Sequence, residues 1–198
     1  MKDLAYRVVP LVAALPPASA SLAGVLVRLD SDDRPYWCDG VTWLDLATPA
    51  GNDPRIVTAR SAADVSNSTT TLANAIGLLL ALAANSTYAI EALVMFQTAT
   101  TTTGIRLTQT VPAGTSVVAQ WNTPTSLTAR TLSNQRAADA GATTTGIDTA
   151  NANTLACGSL LVVTGATAGN LQIRFASETT GANVVVKAGS NLVGNKVS

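Results

Sequence analysis

The sequence predicts an all-β protein, in which a jelly-roll-like β-sandwich follows an extended N-terminal arm and a small β-hairpin unit. Short β-favouring runs alternate with turn residues over most of the chain, and residues 171–175 alternate apolar with polar side chains. A Pro/Gly/Asn-rich stretch at 47–55 separates this region from the first residues. We therefore predict two units, an arm and hairpin docking unit at 1–47 and a sandwich domain at 56–198.

The first residues have no hydrophobic period and contain several prolines. This pattern is typical of an extended arm laid against a neighbouring chain, with Val8, Val9 and Leu11 as candidate contacts. A signal peptide is the alternative interpretation, because basic residues precede a short apolar run. Asp3 in the basic region and Pro10 inside the run argue against it.

The pair Asp39-Gly40 lies between aromatic and β-branched residues. It predicts a two-residue type I′ hairpin turn, since both turn positions of that type need positive φ. Tyr36, Trp37 and Trp43 would then pack together across the hairpin. We interpret this cluster as the small core of the hairpin. A protein-docking surface and a sugar-binding platform are the alternatives.

A small acidic cluster, Asp30, Asp32 and Asp33, precedes the hairpin. Carboxylates at this spacing could recruit Ca²⁺, but the segment lacks the glycine and the terminal glutamate of an EF-hand loop. A solvated turn is therefore the preferred interpretation.

The second unit is predicted to consist of strands joined by turns. The Ala/Leu-rich stretch 72–84 could form a helix, but its Ser/Thr/Asn-rich flanks favour a strand. The polar residues 133–154 predict a long loop with little regular structure. The candidate strands are 56–60, 71–82, 87–98, 104–110, 116–121, 126–132, 155–164, 170–177 and 183–188.

Charged residues make up only 12% of the chain, and twelve basic and twelve acidic residues cancel. Lys and Arg are scattered singly, so nucleic acid is not an expected partner. No run of eighteen apolar residues occurs, so we expect no membrane-spanning helix and no membrane partner. A surface this poor in charge is weakly protected against self-association, which predicts that partner subunits cover part of it. A surface rich in neutral Thr, Ser and Asn side chains is the alternative.

The absence of histidine excludes the Ser-His-Asp and Cys-His catalytic constellations. Neither a P-loop nor a GxGxxG fingerprint is present, so we expect no enzyme activity and no cofactor or metal. Cys38 and Cys157 lie far apart in the sequence, and we predict two free thiols with at least one buried.

Glu91 lies inside a strongly apolar predicted strand, where an unpaired buried carboxylate would be costly. It is therefore expected either to face a solvated sheet surface or to form a structural ion pair with Arg106 or Arg174.

Residues 30–44, with the hairpin letters YWCDGVTW, resemble short hairpins of tailed-bacteriophage tail and fibre proteins. Much of 64–193 is similar to a β-sandwich module of tailed-phage virion proteins. The resemblance implies a component of the phage particle surface that assembles as a homotrimer, and it brings no catalytic residues. Where the related modules carry an acidic Ile-Glu-Gly element, this chain has Ala-Cys-Gly-Ser at 156–159. The segments that carry this second resemblance are 85–93, 97–105, 148–153, 171–178 and 186–190.

Within virion roles, a chain of 198 residues leaves no room for a long fibre shaft or a large receptor-binding tip. It suits a capsid decoration (cement) protein or a short head fibre, which binds the major capsid protein or other virion proteins. Such a protein stabilises the shell by mass action, because it binds only the assembled form. The alternative is a tail or tail-fibre protein that attaches to host-surface glycan.

Overall fold

The computed structural model describes residues 11–29, 31, 34–38, 40–45 and 55–197. Strands make up 53% of these described residues and helix 2%, which confirms the predicted all-β class. The chain divides into two compact units, Met1–Asp53 and Pro54–Ser198.

The N-terminal unit is built around a four-stranded sheet in the order β1-β2-β3-β4. β1 lies parallel to β2, and the other neighbours are antiparallel. Leu11, predicted as part of an extended arm, thus belongs to a strand, whereas Val8 and Val9 lie outside the described residues. The elements are β1 Leu11–Val12, a 3-10 helix Ala20–Leu22, β2 Leu26–Leu29, β3 Arg34–Cys38 and β4 Trp43–Asp45.

The connection between β3 and β4 differs from the predicted two-residue type I′ turn. Cys38 pairs with Trp43, so four residues connect the strands. Gly40 has a φ of +96°, and a Cβ there would lie 3.3 Å from the Ala23 Cβ, so the loop packs closely against the 3-10 helix region. The Trp43 Nε1 donates a hydrogen bond to the Pro16 carbonyl at 2.7 Å. Packing within the unit, not the local turn preference, sets this loop.

The C-terminal unit contains eleven strands. The Ala/Leu-rich stretch is a strand, as predicted, while the short strands β6 and β15 were missed and β11 begins later than the predicted 126–132. The strands are β5 Ile56–Arg60, β6 Val65–Asn67, β7 Ala73–Leu82, β8 Thr87–Thr98, β9 Ile105–Thr110, β10 Ser116–Pro124, β11 Arg130–Gln135, β12 Thr154–Val163, β13 Gly169–Ser177, β14 Val184–Val186 and β15 Asn191–Lys196.

These strands form a sandwich of one eight-stranded and one three-stranded sheet. In the large sheet, β11, β10, β12 and β8 are neighbours in that order. The other edge of β8 pairs with β14 at one end and with β15 over the rest. β14 then pairs with β6, and β15 pairs with β5. The small sheet has the order β7-β13-β9. The series β5-β15-β8-β12 and β7-β13-β9 follow the strand order of a jelly roll. The departure is β10, which in a jelly roll would pair with β9 but here joins the large sheet beside β12.

The edge of β9 left open by this exchange is covered by residues 136–147, which we call the strap. The Asp139 amide donates to the Gln109 carbonyl and the Thr144 amide to the Ile105 carbonyl, both at 3.0 Å. The strap thus satisfies backbone groups that a fourth strand would otherwise pair. It occupies most of the predicted 133–154 loop and, as predicted, has little regular structure, although β11 extends to Gln135.

The strap lies so close to the sheet that side chains are excluded at two glycines. A Cβ on Gly104 would lie 1.7 Å from the Thr144 carbonyl oxygen, and one on Gly141 would lie 2.1 Å from that of Leu107. Both positions therefore require glycine.

The core lies between the two sheets, and its largest side chain is Trp121 on β10. Trp121 pairs in register with Gly158 on β12, and its ring covers that glycine. Its Nε1 donates to the Gln109 Oε1 at 3.2 Å, so the one polar atom of the indole is satisfied inside the core. Its fully buried aromatic and aliphatic companions include Leu78, Leu80, Ile90, Phe96, Ile105, Leu171, Ile173, Phe175 and Leu192.

A bulge in β7 is held by a buried glutamine. The register between β13 and β7 slips between Gln172 and Arg174. The Gln172 Nε2 donates to the carbonyls of Ala75 at 2.9 Å and Leu78 at 3.0 Å. The side chain thereby replaces the ladder hydrogen bonds that the bulge interrupts.

Candidate functional site

The aromatic residues of the N-terminal hairpin do not form the predicted three-membered cluster. In the register, Cys38 lies opposite Trp43 and Tyr36 opposite Asp45. Because side chains alternate along a strand, Tyr36 and Trp43 belong to one face of the sheet and Trp37 to the other. Trp37 is 37% exposed on its face. A docking role for Tyr36, Trp37 and Trp43 stays a prediction.

Glu91 does not pair with either predicted arginine. It is exposed on β8 of the large sheet, where it accepts a hydrogen bond from the Ser159 Oγ at 3.0 Å. Arg106 and Arg174 lie on β9 and β13 of the small sheet. The predicted ion pair is therefore wrong, because the strands lie in different layers of the sandwich. The alternative, a carboxylate on a solvated sheet surface, is confirmed.

Both arginines instead hold the strap. The Arg174 guanidinium forms an ion pair with the Asp139 carboxylate at 2.5 Å. Arg106 donates to the backbone carbonyls of Gly141 at 2.7 Å and Asp139 at 2.6 Å. Asp139 has a φ of +56°, a left-handed conformation that Asp and Asn tolerate better than most residues.

We expect Asp139→Asn to loosen the strap while leaving the backbone conformation intact, because it removes the charge and keeps the shape. The ion pair is partly exposed, so the expected loss is about 1 kcal/mol or less. Hydrogen exchange should show faster exchange at the amides of Asp139 and Thr144. Asp139→Ala should have a larger effect, because alanine is strained at positive φ. Equal exchange in wild type and Asp139→Asn would contradict this role of the charge.

A second cross-link lies where β14 gives way to β15. Lys187 donates a hydrogen bond to the Asp64 Oδ2, and the Ala188 amide donates to the Oδ1 at 2.8 Å. These two contacts, the Lys187 side chain first, lower the pKa of the Asp64 carboxyl below its ordinary value. The carboxylate thus ties the residue just before β6 to the residues that follow β14.

The remaining chemical candidates form no metal-ligand cluster in the part of the chain that the structure describes. Cys38 is buried and Cys157 half-buried, and both are free thiols, as predicted. Within the described ranges, no three His, Cys, Asp or Glu side chains lie close enough together to hold a metal ion. The acidic residues Asp30, Asp32 and Asp33 lie outside them. A search of the same residues for a helix long and apolar enough to cross a membrane finds none.

The surface that stands out is the outer face of the large sheet, defined as the side chains of β5, β8, β10, β11, β12 and β15 that point away from the core. Its large aliphatic side chains are 39–58% exposed, although each belongs to a regular strand. Exposed aliphatic residues that share one sheet face mark an interaction surface more often than single scattered ones do. They are Leu93, Val118, Leu132, Leu155, Leu161, Val163 and Val193.

The register arranges this outer face in rows that run across the sheet. In the first row, Leu93 lies opposite Cys157. In another, Leu161 lies between Ala89 and Val118. Exposed apolar side chains therefore lie in two separate rows of the face.

The row between them is polar and is satisfied within the sheet. Ser159 donates to Glu91, and the Gln120 Nε2 donates to the Asn134 Oδ1 at 3.0 Å. Glu91 is the one charged residue on the central strands β8, β10 and β12, while Arg60 and Arg130 lie at strand ends on the edge strands. The centre of the face thus carries little charge to desolvate on contact with a partner.

The face is large enough for a stable interface. Six neighbouring strands spaced about 4.8 Å apart, over about eight residues of about 3.4 Å each, cover roughly 700–800 Å². A standard protein interface buries about 800 Å² on each partner. One partner surface of ordinary size would therefore cover the central part of the face.

No protein-family model matches the chain, and no curated protein matches it by sequence. Among solved structures, it resembles a structure of infectious bursal disease virus, Gt strain, with 13% identity and a TM-score of 0.24 over 79% of this chain and 40% of that chain. For the Gx strain the identity is 12% and the TM-score 0.22, over 79% of this chain and 46% of that chain. The chain spans less than half the length of these two chains. TM-scores this low carry no argument, so the tailed-phage assignment stays a prediction.

Proposed function

We propose that this chain is a non-enzymatic structural protein of a virus particle, of the capsid decoration (cement) or short head-fibre type. The observation that carries the proposal is the outer face of the large sheet, because its exposed aliphatic rows and single central carboxylate suit a contact with another protein. The sequence resemblance to tailed-phage virion modules implies that this contact is made in a phage particle.

In this proposal the outer face packs against further copies of the chain, and the N-terminal unit docks on the shell. The low overall charge supports self-association, since few like charges oppose each other when copies meet. A closed ring of three copies fits the local threefold positions of a capsid. The bound protein then stabilises the shell, because it binds the assembled form and not the separate subunits.

Locating the chain on the particle tests the proposal. Antibody against the purified chain, imaged with gold label on intact particles, should decorate the head uniformly. Label confined to the tail tip would overturn the decoration role in favour of attachment to the host, and unlabelled particles would overturn both. The same antibody absorbed with purified chain provides the control.

A further inference from the structure

A shallow cleft of about 220 Å³ lies between the β10–β11 connection and the segment that leads into β12. It lies on strand ends and loops at one end of the sandwich, which is a usual place for a binding site on a rigid β scaffold. The volume is below the roughly 300–1,000 Å³ of sites for drug-sized ligands. It therefore suits a small ligand or one unit of a longer chain.

The cleft presents a cation and an anion that are not paired with each other. Arg130 and Asp148 both line it, yet the described residues include no ion pair or hydrogen bond between them. The Asp148 Oδ1 accepts a hydrogen bond from the Thr154 Oγ1 at 3.1 Å, which orients the carboxylate and leaves its Oδ2 for another donor. An anionic ligand would meet Asp148 and a cationic ligand would meet Arg130, so the charges disfavour a ligand with net charge.

The other lining residues add amide donors and apolar surface. The Asn153 Oδ1 accepts from the Gln97 Nε2 at 2.9 Å, so its Nδ2 remains available as a donor. Leu127 is 83% exposed beside these polar groups, and the exposed Leu155 lines the same cleft. Directed donors and acceptors next to an aliphatic surface match a pyranose, which has hydroxyl groups at its rim and C–H bonds on its face.

We propose that this polar cleft binds a neutral pyranose, with Asp148, Arg130 and Asn153 as hydrogen-bond partners of its hydroxyl groups and Leu127 against its C–H face. A carboxylate accepts from a sugar hydroxyl and a guanidinium donates to one, so the two groups lining this cleft can each bind a hydroxyl. The inference goes beyond the particle role and does not depend on it.

Titration of the ¹⁵N-labelled full-length chain tests this site. The probes are the methyl glycosides of glucose, galactose, mannose, N-acetylglucosamine and N-acetylgalactosamine, with glycine and inorganic phosphate as ionic comparisons. We expect saturable amide shifts with at least one glycoside, confined to residues 124–130 and 148–155. Shifts elsewhere, no saturable shift with any glycoside, or saturation by glycine or phosphate at this cleft would each overturn the proposal.

Two variants test the named residues. Asp148→Asn and Arg130→Gln should each weaken glycoside binding about tenfold or more, the usual cost of losing a hydrogen bond to a charged group. Arg136→Gln, at an exposed arginine outside the cleft, is the matched control and should bind as wild type does. Unchanged affinity in both cleft variants would overturn the assignment. Because the purified chain is used without particles, this outcome is distinct from that of the labelling experiment.

Discussion

Trp121→Ala is expected to lower the free energy of unfolding of the C-terminal unit by about 3–5 kcal/mol. The indole is 1% exposed and fills the space between β10, β12 and the small sheet. Its removal leaves a cavity, exposes the bare Gly158 to that cavity, and leaves the buried Gln109 Oε1 without its donor at 3.2 Å. Such a loss is a large share of the stability of an ordinary domain.

Guanidinium unfolding followed by circular dichroism measures this effect without relying on the removed fluorophore. Trp37→Ala, at a partly exposed tryptophan of the N-terminal unit, is the matched control and should change the unfolding of the C-terminal unit little. Gly158→Ala tests the same contact from β12, the neighbouring strand, because its Cβ would lie 2.8 Å from the Trp121 ring. Overpacking of this kind costs about 1–3 kcal/mol. A wild-type midpoint in Trp121→Ala would contradict the central role of this side chain.

The double variant Leu93→Lys, Leu161→Lys is expected to abolish self-association of the chain. Both leucines lie on central strands of the outer face, on either side of the polar row. At an interface centre, a residue whose loss costs about 2 kcal/mol changes the dissociation constant about 30-fold. Two buried lysine charges should therefore reduce association beyond detection at micromolar concentration.

Sedimentation equilibrium of wild type and variant measures the change. Leu79→Lys is the matched control, since Leu79 is similarly exposed, at 43%, but lies on β7 of the small sheet. It should associate as wild type does. A wild-type chain that stays monomeric at all concentrations would refute the homotrimer, and a monomeric Leu79→Lys variant would place the contact on the other sheet.

The predicted aromatic docking cluster shows what the N-terminal sequence could and could not specify. Asp39-Gly40 between β-prone residues correctly predicted that β3 and β4 form a hairpin. The loop length was set by tertiary contacts, where Gly40 packs against Ala23 and Trp43 bonds Pro16. Trp37 belongs to the other face because side chains alternate along β3. The register also places Cys38, not Tyr36, directly opposite Trp43. A register is a relation between two strands, and neither strand alone specifies it.

The ion-pair prediction failed for a similar reason. Sequence pattern correctly indicated that Glu91 must be solvated or paired, since burial of a lone carboxylate is costly. It could not indicate which sheet each strand joins. The true partner of Arg174 is Asp139, in a polar segment whose letters predict only a loop.

By itself, the sequence determined the all-β class, most of the strands and the absence of histidine chemistry, because alternation and composition are local properties. The tertiary structure alone decided that β10 leaves β9 for the large sheet, that the strap covers the exposed edge, and that exposed leucines and valines meet on one face. Those outcomes depend on contacts between residues far apart in the chain. Local periodicity does not specify such contacts, since the same alternating strand can pair at either edge of either sheet.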